Sequence, residues 1–377
     1  MSNVQTFGHV TFPAVWTLDI YGEEVPMVSL SDEQSKILDQ LLDGRRQHRV
    51  QTLGGLAGTG KTTLLATLAH ELPGWQPCAF TGRAAHVMRT KGIDDARTIH
   101  SVIYTPEEQE DGTVTFRLRP RYELADIDGF LVDEASMVSK QLHRDMLSFG
   151  KPIIFLGDHG QLPPVGDDVY LMEDPDYRLE EIHRNAGPIA HFAGHLRRGG
   201  AAQSFQAEGA VTVVSTKDID DEDLPGAGQV VCVFNKTRVA INNSIRKQLG
   251  HAELLEPGDR VICLRNNRRA GLFNGMTGTV EDVHPVYDTM TFTEDTGDVH
   301  EVTFDPATFG QERYAIDFNP EAPHPFDYSW AITCHRAQGG EWEKVTVVEQ
   351  RCGKWDHERW AYTAASRAKT ELVWVTP

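Results

Sequence analysis

No uninterrupted apolar run in this chain approaches the roughly 20 residues that a membrane span requires. Its N-terminus, Met-Ser-Asn-Val-Gln-Thr-Phe, lacks the basic stretch and apolar core of a secretory leader. The expectation is therefore a chain outside the membrane and secreted classes. Cysteine is sparse and scattered: Cys78, Cys232, Cys263, Cys334 and Cys352 include no pair at CxxC spacing. That odd, dispersed set supports neither a zinc knuckle nor a disulfide framework, and points to a reducing cytoplasm. Positive charge is also short. Lys and Arg number 36 against 55 Asp and Glu, a net charge of −19, which runs against the basic footprint of most nucleic-acid binders. Net charge is a whole-molecule average, however, and a groove can be locally basic inside an acidic shell. No internal repeat or low-complexity tract is visible. What is present is 377 residues, 40% hydrophobic and 24% charged, enough for two or three domains with proper cores.

Residues 1–29 alternate in β fashion (His9-Val-Thr-Phe, then Val15-Trp-Thr-Leu) between breaks at Pro13 and Gly22-Glu-Glu, and carry no chemistry that can be named. A helix is predicted to open at Ser31, with Ile37, Leu38, Leu41 and Leu42 on one face. Short apolar strands follow at Val50–Gly54, Cys78–Thr81, Phe130–Asp133 and Ile153–Gly157, spaced for helical crossovers. That order predicts a parallel α/β sheet. A second series, Val230–Phe234, Val345–Glu349 and Leu372–Val375, flanks a stretch near 256–317 punctuated by Gly258-Asp, Asn274-Gly and Gly278, read as a small antiparallel β insert. The acidic Asp218–Asp223, followed by Pro225-Gly-Ala-Gly, reads as a solvated loop.

Gly55-Leu-Ala-Gly-Thr-Gly-Lys61-Thr62 fits GxxxxGK[ST] in full, after a predicted strand and before a predicted helix. In that context backbone N–H groups from Gly55 through Ala57, Gly58, Thr59, Gly60, Lys61, Thr62 and Thr63 can wrap phosphates. Lys61 reaches the β- and γ-phosphates, Thr62 ligates Mg²⁺, and the helix dipole assists. Phe130-Leu-Val-Asp133-Glu134 ends an apolar strand in paired carboxylates. Asp133 suits the octahedral, partly hydrated Mg²⁺ shell, and Glu134 the deprotonation of an attacking water. Gln34 has two readings. With Ser31 it forms an S-x-x-Q capping box, and its amide also suits adenine.

Later motifs choose among P-loop classes. They are Leu156-Gly-Asp158-His-Gly-Gln161-Leu-Pro-Pro-Val, Leu179-Glu-Glu-Ile-His-Arg184, Ile332-Thr333-Cys-His335-Arg-Ala-Gln338-Gly-Gly-Glu341 and Tyr362-Thr-Ala-Ala-Ser-Arg367-Ala-Lys369. This ordered set resembles superfamily 1 DNA helicases of the RecD and bacteriophage Dda type, over about nine-tenths of the chain. The resemblance implies two RecA-like P-loop domains with ATP between them: a first at 30–183 and a second at 184–255 plus 318–377. It also implies a hairpin insert at 103–124 and an SH3-like β insert at 256–317, after a 1–29 extension without a family counterpart. Gln161, Arg184 and Arg367 match γ-phosphate positions, and Glu341 the ribose contact. The resemblance also raises the adenine role of Gln34. Thr81, Arg83, Thr98, His100, Thr333, His335 and Gln338 match strand-contacting positions. Phe116 or Tyr104 is the candidate duplex wedge, on a hairpin expected to turn at Asp111-Gly112.

The function implied is ATP- and Mg²⁺-dependent DNA unwinding, with movement 5′ to 3′ on single-stranded DNA and action at single-strand/duplex junctions. The alternatives are a translocase or remodeller that does not unwind, a single-strand-binding scaffold that clamps with ATP, and an RNA helicase of the same superfamily. The expected setting is the cytoplasm of a bacterial or phage-infected cell, as a monomer, in replication, recombination or repair. The −19 charge adds the expectation of a loading partner such as a single-strand-binding or replisome protein.

Overall fold

The computed structural model describes residues 16–18, 24–26, 30–45, 47–108, 114–163, 171–181, 187–206, 209–218, 226–267, 270–317, 319, 321–353 and 355–377. Two short strands, β1 (Trp16–Leu18) and β2 (Glu24–Pro26), pair antiparallel ahead of the main fold.

The first lobe begins with α1 (Asp32–Gly44), β3 (Val50–Gly55), α2 (Lys61–Glu71), β4 (Trp75–Ala79), α3 (Gly82–Thr90), β5 (Arg97–Thr98) and α4 (Ile99–Ile103). It continues through β6 (Tyr104–Glu108), β7 (Val114–Leu118), β8 (Gly129–Asp133), α5 (Lys140–Ser148), β9 (Ile153–Gly157) and β10 (Tyr177–Leu179). The strands form one parallel sheet in the order β10-β3-β9-β8-β4-β5. Leu53, Leu131, Ile154 and Leu156 are fully buried beneath α1, α2 and α3. β6 and β7 stand apart as an antiparallel pair.

The second lobe contains α6 (Gly187–Arg197), β11 (Val211–Ser215), β12 (Gln229–Cys232), α7 (Asn235–Leu249), β18 (Ala331–Thr333), α8 (Cys334–Ala337), β19 (Trp342–Val348), α9 (His357–Ala365) and β20 (Ala368–Thr376). Its parallel sheet runs β11-β20-β19-β12-β18. Trp360, Trp374 and Phe192 fill the core where α6 and α9 cover it.

Between β12 and β18 a closed barrel is inserted: β13 (Arg260–Cys263), β14 (Thr277–His284), β15 (Thr289–Glu294), β16 (Val299–Asp305) and β17 (His324–Tyr328). The expected boundary at 317 is corrected. The barrel closes only because β17 pairs with both β13 and β16, so the insert runs through Tyr328. One helix anchors both ends of this insert. The Arg246 guanidinium donates to both Asp259 oxygens (2.8 and 3.1 Å) at the entry. At the exit, Asn242 donates to Ala331 O (3.0 Å) and accepts from Ala331 N–H (2.8 Å), while the Arg238 guanidinium is buried against Asp327.

The short strands β5, β10, β11 and β18 escaped the sequence reading because runs of two to five residues show too little alternation to register. The strand expected at Cys78–Thr81 ends at Ala79, which frees Thr81 to cap α3. Among the described residues no helix is long and apolar enough to cross a membrane.

Asp327 has no exposed side-chain surface and receives Arg238, Gly310 N–H and Tyr328 N–H. Replacing it by alanine leaves a buried guanidinium uncompensated, and is expected to cost about 3–5 kcal/mol. Urea denaturation of Asp327→Ala against wild type measures this; a change below about 1 kcal/mol, the range of an exposed pair, would show that the clasp does not hold the barrel.

Candidate functional site

β3 runs apolar to Gly55, and the chain then turns through Gly58 (φ 81°) and Gly60 (φ 78°) before α2 starts at Lys61. Those left-handed values are what a glycine adopts without steric cost. The Lys61 ammonium lies over the loop, 2.6 Å from Gly55 O, 3.0 Å from Leu56 O and 3.9 Å from the Asp158 carboxylate. Behind the loop, the Gln34 amide N–H donates to Thr59 O (3.1 Å). Its oxygen accepts from Ser31 N–H (2.9 Å), and Ser31 Oγ accepts from Gln34 N–H (3.2 Å). The capping box is complete, with the Gln34 amide oxygen engaged in the cap and its nitrogen in supporting the loop.

β8 delivers Asp133 to the carboxyl edge of the sheet. The next residue, Glu134, sits at φ 54°, a left-handed conformation that costs a non-glycine residue about 1–3 kcal/mol. Such strain persists where the surroundings over-determine it. Burial raises the pKa of both carboxyls. Glu134 is pushed up to about 7, first by burial and then by the Asp133 charge, against the pull of Arg367 and Lys61. These two carboxylates and the Thr62 hydroxyl, which lies in the first turn of α2, are the hard oxygen donors that Mg²⁺ takes. Gln161 is buried. Its amide nitrogen lies 3.4 Å from Asp158, and its oxygen has no partner among the described residues.

The second lobe brings Arg367 to the same place. Its guanidinium is held by Thr363 O (3.0 Å), Gly340 O (3.1 Å) and Ser366 Oγ (2.9 Å), and its charge acts directly on Glu134. Arg184 lies outside the described residues, as do the 109–113 turn and Arg268 and Arg269.

The lobes meet along the segment Asp158–Leu162. The Tyr362 hydroxyl accepts from Ala57 N–H and donates to Asp158 Oδ2, both at 2.7 Å. Thr363 Oγ1 accepts from Leu162 N–H (2.9 Å), the Gln338 amide donates to Leu162 O (3.0 Å), and Arg359 donates to His159 O (3.1 Å). Arg83 makes a second bridge: it donates to Glu341 O (3.2 Å) and Thr277 Oγ1 (3.4 Å), and lies 4.7 Å over the Trp342 ring. Arg83 and Gln338 were both expected on the nucleic-acid track. In this structure both tie the lobes together, and both also line the cavity between the lobes and the barrel. Glu341 uses its carbonyl in this bridge and exposes its side chain. Asp158, Tyr362, Thr363 and Arg359 were not singled out from the sequence. Asp158, Tyr362 and Thr363 stand inside motifs that were, but only the fold shows that they touch.

A cavity between the lobes and the barrel is lined by Phe80, Thr81, Asn274, Gly275, His335 and Gln338, among others. Thr81 and Thr98 cap α3 and α4 by accepting from Ala84 N–H (3.1 Å) and Ser101 N–H (3.3 Å). Thr333 is buried at the start of α8. His100 lies between Phe80 and Tyr104, with ring centroids at 5.9 and 5.6 Å, and His335 packs on Trp355 at 4.5 Å; burial lowers the pKa of both. Of the two wedge candidates, Tyr104 is fixed by its hydroxyl to Asp145 (2.5 Å), whereas Phe116 on β7 is 55% exposed. Arg265, in the insert, is buried on the carbonyls of Asn319 and Ala322.

Comparison with known proteins agrees with this layout. A family model described as an AAA domain matches residues 29–216, and one described as a UvrD-like helicase C-terminal domain matches 328–375. The chain is 29% identical over 379 residues to the ATP-dependent RecD2 DNA helicase of Deinococcus radiodurans, covering 90% of this chain and 48% of that protein. It is 30% identical over 171 residues to the ATP-dependent DNA helicase dda of Enterobacteria phage T4, covering 41% of this chain and 39% of that one. Among solved structures, Bacteroides Pif1 bound to single-stranded DNA shares the fold, with a TM-score of 0.62, 20% identity and 92% coverage of both chains. This chain thus spans about half the length of the RecD2 relative.

Glu134→Gln is expected to slow ATP hydrolysis on the order of 10²–10⁴-fold, the usual contribution of a positioned base, with nucleotide affinity kept. Steady-state phosphate release and fluorescent-nucleotide titration separate the two. A base with a raised pKa is protonated below that value, so wild-type turnover should fall as pH drops through about 7, with the limb moved lower by a bound cation. A flat profile between pH 5 and 8 in wild type would remove Glu134 from that role.

Proposed function

The chain belongs to the superfamily 1 helicases of the RecD and Dda type, and from that premise we propose that it is an ATP-dependent DNA helicase acting on single-stranded DNA and forked junctions. The observation that carries this reading is the meeting of Lys61, Asp133, Glu134 and Asp158 of one lobe with Arg367 of the other in a single electrostatic cluster. A phosphoryl-transfer site needs charge stabilisation on the γ-phosphate at the moment the lobes close, and an arginine delivered across the cleft supplies it.

In this reading the P-loop amides and Lys61 bind the phosphates, and Thr62 and Asp133 hold Mg²⁺. When bound, the metal neutralises phosphate charge and orients the oxygens. Glu134 takes the proton of the attacking water, and Gln161 and Arg367 stabilise the transferring group, with Arg184 assigned to the same task by its motif. Glu341 is the ribose contact. The adenine role of Gln34 requires its amide to exchange partners on nucleotide binding. Thr81, Thr98, His100, Thr333 and His335 border the strand track. The barrel is the SH3-like insert of this helicase branch, covering the cavity with Asn274 and Gly275. Phe116, exposed on the hairpin, is the duplex wedge. Polarity is 5′ to 3′, the protein acts as a monomer, and the net charge of −19 favours loading by a single-strand-binding or replisome partner.

Strand separation on partial duplexes with a 5′ or a 3′ tail tests the proposal. ATP should open the 5′-tailed substrate alone, a non-hydrolysable analogue neither, and Lys61→Ala should abolish both opening and hydrolysis. DNA-stimulated hydrolysis without opening of either substrate would leave a translocase, and stronger stimulation by a matched RNA would move the substrate class. Phe116→Ala is expected to reduce opening about tenfold or more, the scale of one lost base-stacking contact, while single-strand-stimulated hydrolysis continues. Equal loss of both would show that Phe116 is a packing residue.

A further inference from the structure

Among the groups at the lobe interface, Tyr362 is the one that touches the phosphate loop and the Asp158–Leu162 segment together. Its hydroxyl oxygen receives Ala57 N–H and its O–H is given to Asp158, at 2.7 Å each. Asp158 in turn faces the Lys61 ammonium at 3.9 Å and accepts from Gly160 N–H at 2.8 Å. Burial raises the pKa of the phenol well above its ordinary value, so the proton stays on oxygen and the direction of the relay is fixed. The ring lies against Gly160 so closely that a Cβ there would come within 2.8 Å of it. At its far end the same segment is held at Leu162 by Gln338, which lines the cavity alongside His335, Phe80 and Thr81. A continuous set of contacts therefore joins the loop that wraps phosphate to the track proposed for DNA.

We propose that the Tyr362 hydroxyl is a positioning group that transmits the state of the phosphate loop to the nucleic-acid track, through Ala57 on one side and Asp158 on the other. This rests on the helicase reading above. Phosphate binding and Tyr362 act on one stretch of loop backbone. A shift of the loop changes the pull on Asp158, and through Leu162 and Gln338 it reaches the track. Coupling of this kind is reciprocal: DNA must alter nucleotide affinity by the same factor by which nucleotide alters DNA affinity.

The test uses Tyr362→Phe, which removes the hydroxyl and keeps the ring against Gly160. The affinity for a fluorescent oligo-dT is measured with and without a non-hydrolysable ATP analogue. In wild type the analogue is expected to change that affinity by roughly 5- to 150-fold, the usual range for coupled sites. In the variant the ratio should shrink by about two- to tenfold, the factor that one intramolecular hydrogen bond supplies. Thr277→Val, which removes the Arg83 bond between the lobes without touching the Asp158–Leu162 segment, should keep the wild-type ratio. A ratio retained in Tyr362→Phe, or lost equally in both variants, overturns the assignment, since general loosening of the interface would act through either. No coupling in wild type would overturn the helicase reading and this inference together, which distinguishes the two failures. A variant that fails to fold is replaced by amide exchange on wild type. Oligo-dT without nucleotide should alter exchange of the peptide spanning Gly55–Thr62, and unchanged exchange overturns the proposal.

Discussion

Asp133 and Glu134 stand side by side, half-buried, at the carboxyl end of β8. Asp133 accepts from Glu134 N–H (2.9 Å) and has Lys61 and Lys91 of its own lobe as positive neighbours, whereas Glu134 draws on Lys61 and on Arg367 from beyond the cleft. Taking a carboxylate out of water costs several kcal/mol unless charge or hydrogen bonds compensate it. The pair thus makes the first lobe electrostatically incomplete, and completion by the second lobe is what the rest of the architecture arranges. The parallel sheets set both contributions at strand ends, Asp133 at the end of β8 and Arg367 just before β20. α9 carries Arg359, Tyr362 and Thr363 along the seam, and Arg367 follows two residues after its end.

The inserts follow the same logic of fixing parts to one lobe so that only the cleft needs to move. Arg246 and Asn242 on α7 hold the entry and exit of the barrel, and Arg238 buries its charge against Asp327 between them. The barrel therefore travels with the second lobe. Its contact with the first lobe is limited to places such as Phe273 against Gly82 and Thr277 with Arg83. Separating a DNA duplex costs about 1.4 kcal/mol per base-pair step. The proposed motor would deliver that by making closure of the phosphate site and displacement of the track one rigid-body event. A barrel anchored at both ends by buried ion pairs meets that requirement better than one tethered by loops.

Much of this was legible before the fold. The P-loop and the Asp133-Glu134 pair announce themselves because phosphate chemistry demands particular residue types at fixed local spacing, and α1 opens at Ser31 with both halves of its capping box in place. The parallel sheets followed from apolar strands at crossover spacing. What the sequence hid was of two kinds. Strands of two or three residues, such as β5 and β10, carry no periodicity, and β17 reads as part of the following domain until its pairing with β13 and β16 closes the barrel. The second kind is partnership. Arg83 and Gln338 have the right chemistry for a phosphate backbone and were assigned to it. The structure adds hydrogen bonds from them to Glu341, Thr277 and Leu162, and no local pattern encodes a contact made across 176 residues or more.

That redistribution also bears on how an acidic chain could carry the proposed nucleic-acid track. Arg238, Arg246, Arg265 and Arg367 are buried in the structure, so these cations are committed to internal carbonyls and carboxylates. The cavity keeps two cations, Arg83 and Arg336, among Phe80, Thr81, Gln338 and His335, whose burial favours the neutral imidazole. A track of this make-up would hold a strand by a few phosphate contacts together with hydrogen bonds and stacking, so few counterions would be released. For the proposed motor, which would release and rebind at every step, modest contact along the track is compatible with function, because the energy of each step would come from closing the lobes around the nucleotide.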